Sequence, residues 1–255
     1  MSRSARVSQL FASDKKLLSI FLTAGYPNLS DTLPLCEMLE EEGVDFLEIG
    51  IPYSDPLADG PVIQETSEVA LKNGMSLTKL FADLAELRSH VKIPVFLMGY
   101  FNPILQFGVE KFLQASKAVG VDGCIIPDLP LLEYTGKYLP LFIKYNLDFV
   151  PLITPTTPKK RYAEIVESAS SFIYLVSSTA VTGGSSSSKL KSEYFSDMAQ
   201  LPRPTIVGFG ISSKEDFQSA TKTANGAIIG SAFMRALESN DPIETGRRFI
   251  RRVIA

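Results

Sequence analysis

Short apolar runs alternate with segments of helical period along the whole chain. The runs are LLSIFLTAG, DFLEIGIPY, PVFLMGY, GCIIPDL, DFVPLIT, SFIYLVSS, PTIVGFGI and GAIIGSA. Most are nearly continuous in apolar residues, the pattern of parallel strands covered on both faces. Between them lie segments such as SDTLPLCEMLEEEG, SLTKLFADLAELRSHV, VEKFLQASKAVG and TPKKRYAEIVESAS. Their apolar residues recur at three and four, and three of these four segments open on Ser or Thr, as helix starts do. Eight strand–helix units in 255 residues predict an α/β fold. The arrangement expected is a single (β/α)8 TIM barrel with eight parallel strands, residues 1–255 forming one domain. A doubly wound open sheet is the alternative, weakened because no glycine fingerprint follows the first strand.

Barrel enzymes place their chemistry at the C-terminal ends of the strands. Within DFLEIGI side chains alternate in direction. Leu47, Ile49 and Ile51 share the face suited to helices; Phe46, Glu48 and Gly50 share the face predicted to look into the barrel. An acid in an apolar cavity has its pKa raised by burial. A carboxyl that gives and takes a proton near neutral pH suits acid–base work. The other reading of Glu48 is a structural acid paired with a buried donor. Asp59, between Ala58 and Gly60, reads either as a turn former or as a site residue. The only histidine, His90, falls late in a helical segment and is predicted to face solvent. No lysine lies inside any predicted strand. A His-rich metal site, a histidine base and a Schiff-base lysine are therefore not expected. Carboxylates remain at the strand ends: Glu48, Asp55, Asp59 and Asp128.

Glycines mark a second feature. The seventh predicted strand ends in GFGI, 208–211, and the eighth in GSA, 230–232. Loops after the last two strands of a barrel often cradle a phosphate with bare backbone N–H groups. VTGG after the sixth strand would add a third wall. It leads into the one low-complexity patch, GGSSSSK, from Gly183 to Lys189, which reads as a flexible surface loop or a lid over the site.

Composition adds mainly exclusions. Hydrophobic residues make up 45% and charged residues 21%, and the formal charge is −3. No basic surplus points to nucleic acid or an anionic membrane. Arg247, Arg248, Arg251 and Arg252 fall among Phe249, Ile250 and Val253, the spacing of a wet helix face or, alternatively, a partner site. Cys36 falls in a predicted helix and Cys124 in a predicted buried strand, which is no disulfide framework and fits a reducing cytoplasm. The N-terminus, MSRSARVSQLFASDKK, has no apolar core of signal-peptide length, and no membrane span is expected anywhere.

LEIGIPYSDPLADGPVIQ, with FLTAGYP, LMGYFNP, IIPDLP, SSTAVTG, GFGIS and IIGSAF in this order, closely resembles the tryptophan synthase α subunit family. The likeness covers nearly the whole chain. It implies a (β/α)8 barrel that cleaves indole-3-glycerol phosphate to indole and glyceraldehyde 3-phosphate by a retro-aldol reaction. It implies no metal and no cofactor in this chain, and a partner β subunit that carries pyridoxal phosphate, in an α2β2 heterotetramer in which the α subunit allosterically activates the β subunit. By the resemblance Glu48 is the acid–base catalyst and Asp59 binds the indole N–H. Gly183, Gly210, Gly230 and Ser231 match phosphate-loop positions. Phe21, Tyr174 and Phe209 match the lining of the indole pocket, and Thr182 matches a lid threonine. Pro52, Asp55, Tyr100, Asn102, Asp128 and Pro130 match the face toward the β subunit.

The sixth loop departs from the family pattern of Gly-Val-Thr-Gly followed shortly by Arg. Ala180 stands at the first glycine, and Gly184-Ser185-Ser186 stands where the arginine is expected. A positive φ at an alanine costs on the order of 1–2 kcal/mol, which is about tenfold in rate if it falls only on a closed state. The departure motivates an alternative: a catalytically impaired α subunit acting mainly as an allosteric regulator of its partner.

Overall fold

The computed structural model describes residues 4–176, 194–208 and 210–254. Its strands are β1 (Leu17–Thr23), β2 (Phe46–Gly50), β3 (Val95–Met98), β4 (Gly123–Ile125) and β5 (Asp148–Val150). They continue with β6 (Leu152–Ile153), β7 (Ile173–Val176), β8 (Thr205–Gly208) and β9 (Gly226–Ile229). Every pairing is parallel, in the order β5-β4-β3-β2-β1-β9-β8-β7-β6. The two ends of that order, β5 and β6, are one stretch of chain interrupted at Pro151. The sheet therefore closes on itself, and the open-sheet alternative falls away.

The expected eight strands become nine segments at this one residue. Proline has no N–H to donate to a ladder. Its carbonyl still serves: the Tyr174 N–H donates to Pro151 O at 3.0 Å. The run DFVPLIT is thus one barrel strand with a break where its sequence carries proline.

Alternation along β2 sorts its side chains as the pattern predicts. Leu47 and Ile49 join the layer between sheet and helices, while Phe46 joins the cluster inside the barrel. That inner cluster includes Phe96, Ile125, Phe172 and Ile206. Phe172 packs against Phe46 and Phe96 with ring centroids 5.6 and 5.3 Å apart. Val7, on the helix Ala5–Leu10, is fully buried against this cluster and stoppers that end of the barrel.

A buried acid fastens the same end. Asp122 accepts from Arg88 Nη2 at 2.7 Å, Arg6 Nε at 3.0 Å and the Val95 N–H at 2.9 Å. Both arginines also donate to Gly120 O. A buried carboxylate so satisfied is held in place, and removing it would strand two guanidinium groups. Arg88 sits on a short helix, Leu87–His90, separated by a turn from Leu77–Asp83. The sequence pattern predicts one helix over this stretch. In the turn the bonds shorten to i−3, with Ala85 N–H on Ala82 O and Leu87 N–H on Leu84 O. His90 is exposed, as expected, beside Glu37. Arg247 and Arg251 hold Glu42, just past the helix Thr32–Glu41, and Arg248 lies 3.8 Å from Glu244, so three of the four C-terminal arginines are paired within the fold.

Candidate active site

The cleft at the C-terminal ends of the strands consists of two joined cavities. One, of about 260 Å³, is lined by Phe21, Asp59, Met98, Tyr174, Gly210, Gly230, Ser231 and Arg235, among others. The other, of about 600 Å³, shares Phe21, Asp59, Ile63 and Met98 and extends over Gly50, Tyr100 and Leu152. Size and mixed lining suit a small molecule with one apolar and one polar end.

Glu48 is fully buried, and neither carboxyl oxygen has a hydrogen-bond partner among the described residues. Among the described residues Glu48 therefore has no buried donor to pair with. Burial alone pushes its carboxyl up to about 8. Glu48 does not line either cavity directly. Its register neighbour Phe21 lines both, and Gly50, two residues on along the same face, lines the larger. A Cβ at Gly50 would sit 2.3 Å from Phe21 Cζ. Glycine there makes room for the Phe21 ring, which packs beside Gly50 next to Glu48.

Asp59 stands at the rim between the two cavities. Burial raises its pKa, and a bond from the Tyr100 hydroxyl at 3.1 Å opposes that rise. The same hydroxyl accepts the Ala58 N–H at 3.0 Å, so Tyr100 ties down both the aspartate and its loop. The sequence reading assigned Tyr100 only to a partner surface and missed this role. Nothing in the local pattern announces a contact across 41 residues.

Tyr174 is buried in the wall. Burial first, then the nearby Glu48 and Asp59, hold its phenol in the neutral form. A Cβ at Gly208 would lie 1.9 Å from the Tyr174 hydroxyl, so only glycine on β8 admits this ring. The smaller cavity is also lined by Gly210, with φ +73°, and by Gly230 and Ser231. Thr182, Gly183 and Phe209, and the departures at Ala180 and 184–186, lie outside the described residues.

The residues expected on a partner face gather on one side of the cleft. Asp55, Asn102, Asp128 and Pro130 are exposed there, while Pro52 is buried. Asn102 donates to the Tyr53 hydroxyl at 3.1 Å, and Asp128 accepts the Phe101 N–H at 2.8 Å. Two leucines near these residues stand out in solvent, Leu57 at 91% and Leu132, on the short helix Leu131–Glu133, at 78% exposed. No helix among the described residues is long and apolar enough to cross a membrane.

A family model described as tryptophan synthase alpha chain matches residues 7–252. The tryptophan synthase alpha chain of Flavobacterium psychrophilum is 50% identical over 238 residues, 92% of this chain and 94% of that one. That of Christiangramia forsetii is 49% identical over 253 residues, 98% of each. A crystal structure of tryptophan synthase subunit alpha from Legionella pneumophila superimposes with a TM-score of 0.88 at 33% identity, covering 99% of this chain and 97% of that one. No observation favours the impaired-regulator alternative. The chain belongs to the tryptophan synthase alpha chain family, lyases that cleave indole-3-glycerol phosphate and work with a β subunit.

Proposed function

We propose that Glu48 and Asp59 divide the chemistry of this cleavage between them. The observation that carries the reading is Glu48: a buried, unpaired carboxyl raised to about 8 by burial, beside a cavity that holds a second acid. At pH 7 such a carboxyl holds its proton and enters the reaction as an acid. It protonates the indole ring carbon that bears the glycerol chain. The resulting carboxylate takes the proton of the adjacent hydroxyl as the carbon–carbon bond breaks. The bond electrons restore the aromatic ring, and the hydroxyl carbon becomes the aldehyde. Asp59 accepts a bond from the indole N–H and stabilises the positive charge that the ring carries in between. The two acids keep separate roles through separate surroundings, Glu48 dry and Asp59 held by Tyr100.

Phe21, Tyr174 and Phe209 take the indole ring, for which flat apolar contact is suited. Gly183, Gly210, Gly230 and Ser231 take the phosphate, and Thr182 meets Asp59 as the sixth loop covers the site. Pro52, Asp55, Tyr100, Asn102, Asp128 and Pro130 face the β subunit. The exposed leucines Leu57 and Leu132, close to these residues in the chain, support that surface. The assembly is α2β2 in the cytoplasm; this chain uses no cofactor, and pyridoxal phosphate resides in the partner. Tyr100 reaches both the partner face and Asp59, so partner binding bears directly on the site.

Steady-state cleavage of indole-3-glycerol phosphate, alone and with the β subunit, tests the reading. The expected result is measurable cleavage alone and a faster rate with the partner. Absence of cleavage under both conditions sinks it. Tyr100→Phe tests the bond to Asp59. That bond favours the charged carboxylate, so losing it raises the Asp59 pKa further. The acid limb of the kcat/KM profile is expected to move to higher pH, and kcat/KM to fall about 3- to 10-fold. An unmoved acid limb rules the bond out as a control on Asp59.

A further inference from the structure

We propose that Arg235 is the cation that holds the substrate's phosphate; the proposal rests on the lyase reading and extends it to a residue outside the glycine loops. Arg235 lines the smaller cavity together with Gly210, Gly230 and Ser231. It is the only Lys or Arg among the described residues that line either half of the cleft. It lies on the helix Ser231–Ala236, four residues after Ser231, so the two side chains share a face. Its side chain is exposed and forms no ion pair or hydrogen bond among the described residues. Most other arginines near the barrel are committed: Arg6 and Arg88 to Asp122, Arg247 and Arg251 to Glu42.

Charge balance gives that free guanidinium its role. A phosphate monoester carries nearly two negative charges at neutral pH. The cavity that receives it already contains Asp59, and Glu48 lies close by. Glycine N–H groups and the Ser231 hydroxyl are neutral donors. Ser212, also in the lining, is spent: its N–H and hydroxyl both donate to Asp216, at 3.0 and 2.7 Å. Lys189 and Lys191 lie outside the described residues. Among the described residues Arg235 is thus the counter-charge available to this cavity. A guanidinium offers a planar fork that meets two phosphate oxygens at once.

Arg235→Ala and Arg235→Lys, compared with the parent protein, decide it on two readouts. The first is binding of inorganic phosphate followed by phosphorus NMR titration, which needs no turnover. The second is kcat and KM for indole-3-glycerol phosphate. The alanine variant is expected to bind phosphate at least tenfold more weakly and to raise KM about 10- to 100-fold with kcat within about threefold. The lysine variant, which keeps the charge and loses the fork, is expected to fall between. Thermal unfolding is expected to be unchanged, since the side chain is exposed and unpaired. Phosphate affinity and KM within about twofold of the parent in Arg235→Ala overturn the proposal while leaving the lyase reading intact. A parent protein that binds phosphate through Arg235 and cleaves nothing overturns the lyase reading and leaves this one standing.

Discussion

Glu48→Gln is expected to reduce cleavage of indole-3-glycerol phosphate by about 10²- to 10⁴-fold, the range for loss of an acid–base residue, with affinity for the β subunit unchanged. The amide keeps the shape of the side chain and removes its exchangeable proton. Among the described residues no other group in the cleft is placed to take over. His90 is exposed beside Glu37, no lysine among the described residues lines the cavities, and the Tyr174 phenol is held neutral. Asp59 is already occupied by Tyr100 and sits at the rim. The loss is expected in kcat, with KM nearly constant, because the proton moves in the transition state and the ground state gains little from it. Affinity for the β subunit holds because Glu48 is buried within the barrel, away from the exposed loops around Asp55 and Asp128. Titrating the variant against the β subunit while measuring single-turnover cleavage checks both halves. Cleavage within tenfold of the parent removes Glu48 from the chemistry; lost partner affinity makes it a structural residue.

Some of this was legible in the sequence and some was not, for physical reasons. The face that Glu48 occupies follows from strand alternation, which depends only on backbone geometry, and it came out as expected. So did the burial of Cys124 and the exposure of His90. The break at Pro151 was written in the chain, and its consequence was not, because closing the barrel through a proline depends on which carbonyls the neighbouring strand offers. The single helix expected over 76–91 became two, because Arg88 on the second reaches Asp122 from another part of the chain. Tyr100 on Asp59 and Arg235 in the cavity were missed for a related reason. Both are contacts made by loops and by a short helix after the last strand, where no periodicity constrains direction. The partner surface, by contrast, came from family resemblance alone; local spacing gives no reason to single out Asn102 or Asp128.

The same substitution that removes activity is expected to stabilise the fold at alkaline pH. In the native state the Glu48 carboxyl ionises near 8; in the unfolded chain it ionises near its ordinary value of 4.5. Between those values the native state holds a proton that the unfolded state has released, so stability falls as pH rises. Below about 4.5 both states are protonated and the group adds no pH dependence. Above about 8 both are ionised and the full cost of a buried, unpaired carboxylate is present. That cost is on the order of 3–5 kcal/mol. Glutamine does not titrate, so it escapes this loss. Its buried amide has the same unmet hydrogen bonds at every pH, a constant offset that the slope does not see. Urea unfolding of the parent and of Glu48→Gln at pH 5, 7 and 9 therefore yields curves that diverge with pH, the variant gaining relative to the parent. The divergence is tied to the chemistry. A barrel that keeps an unpaired acid in its interior gives up stability near neutral pH to hold a proton donor beside its cleft. Parallel curves across this range put the Glu48 carboxyl at its ordinary pKa, and with that the argument that it enters the reaction protonated is lost.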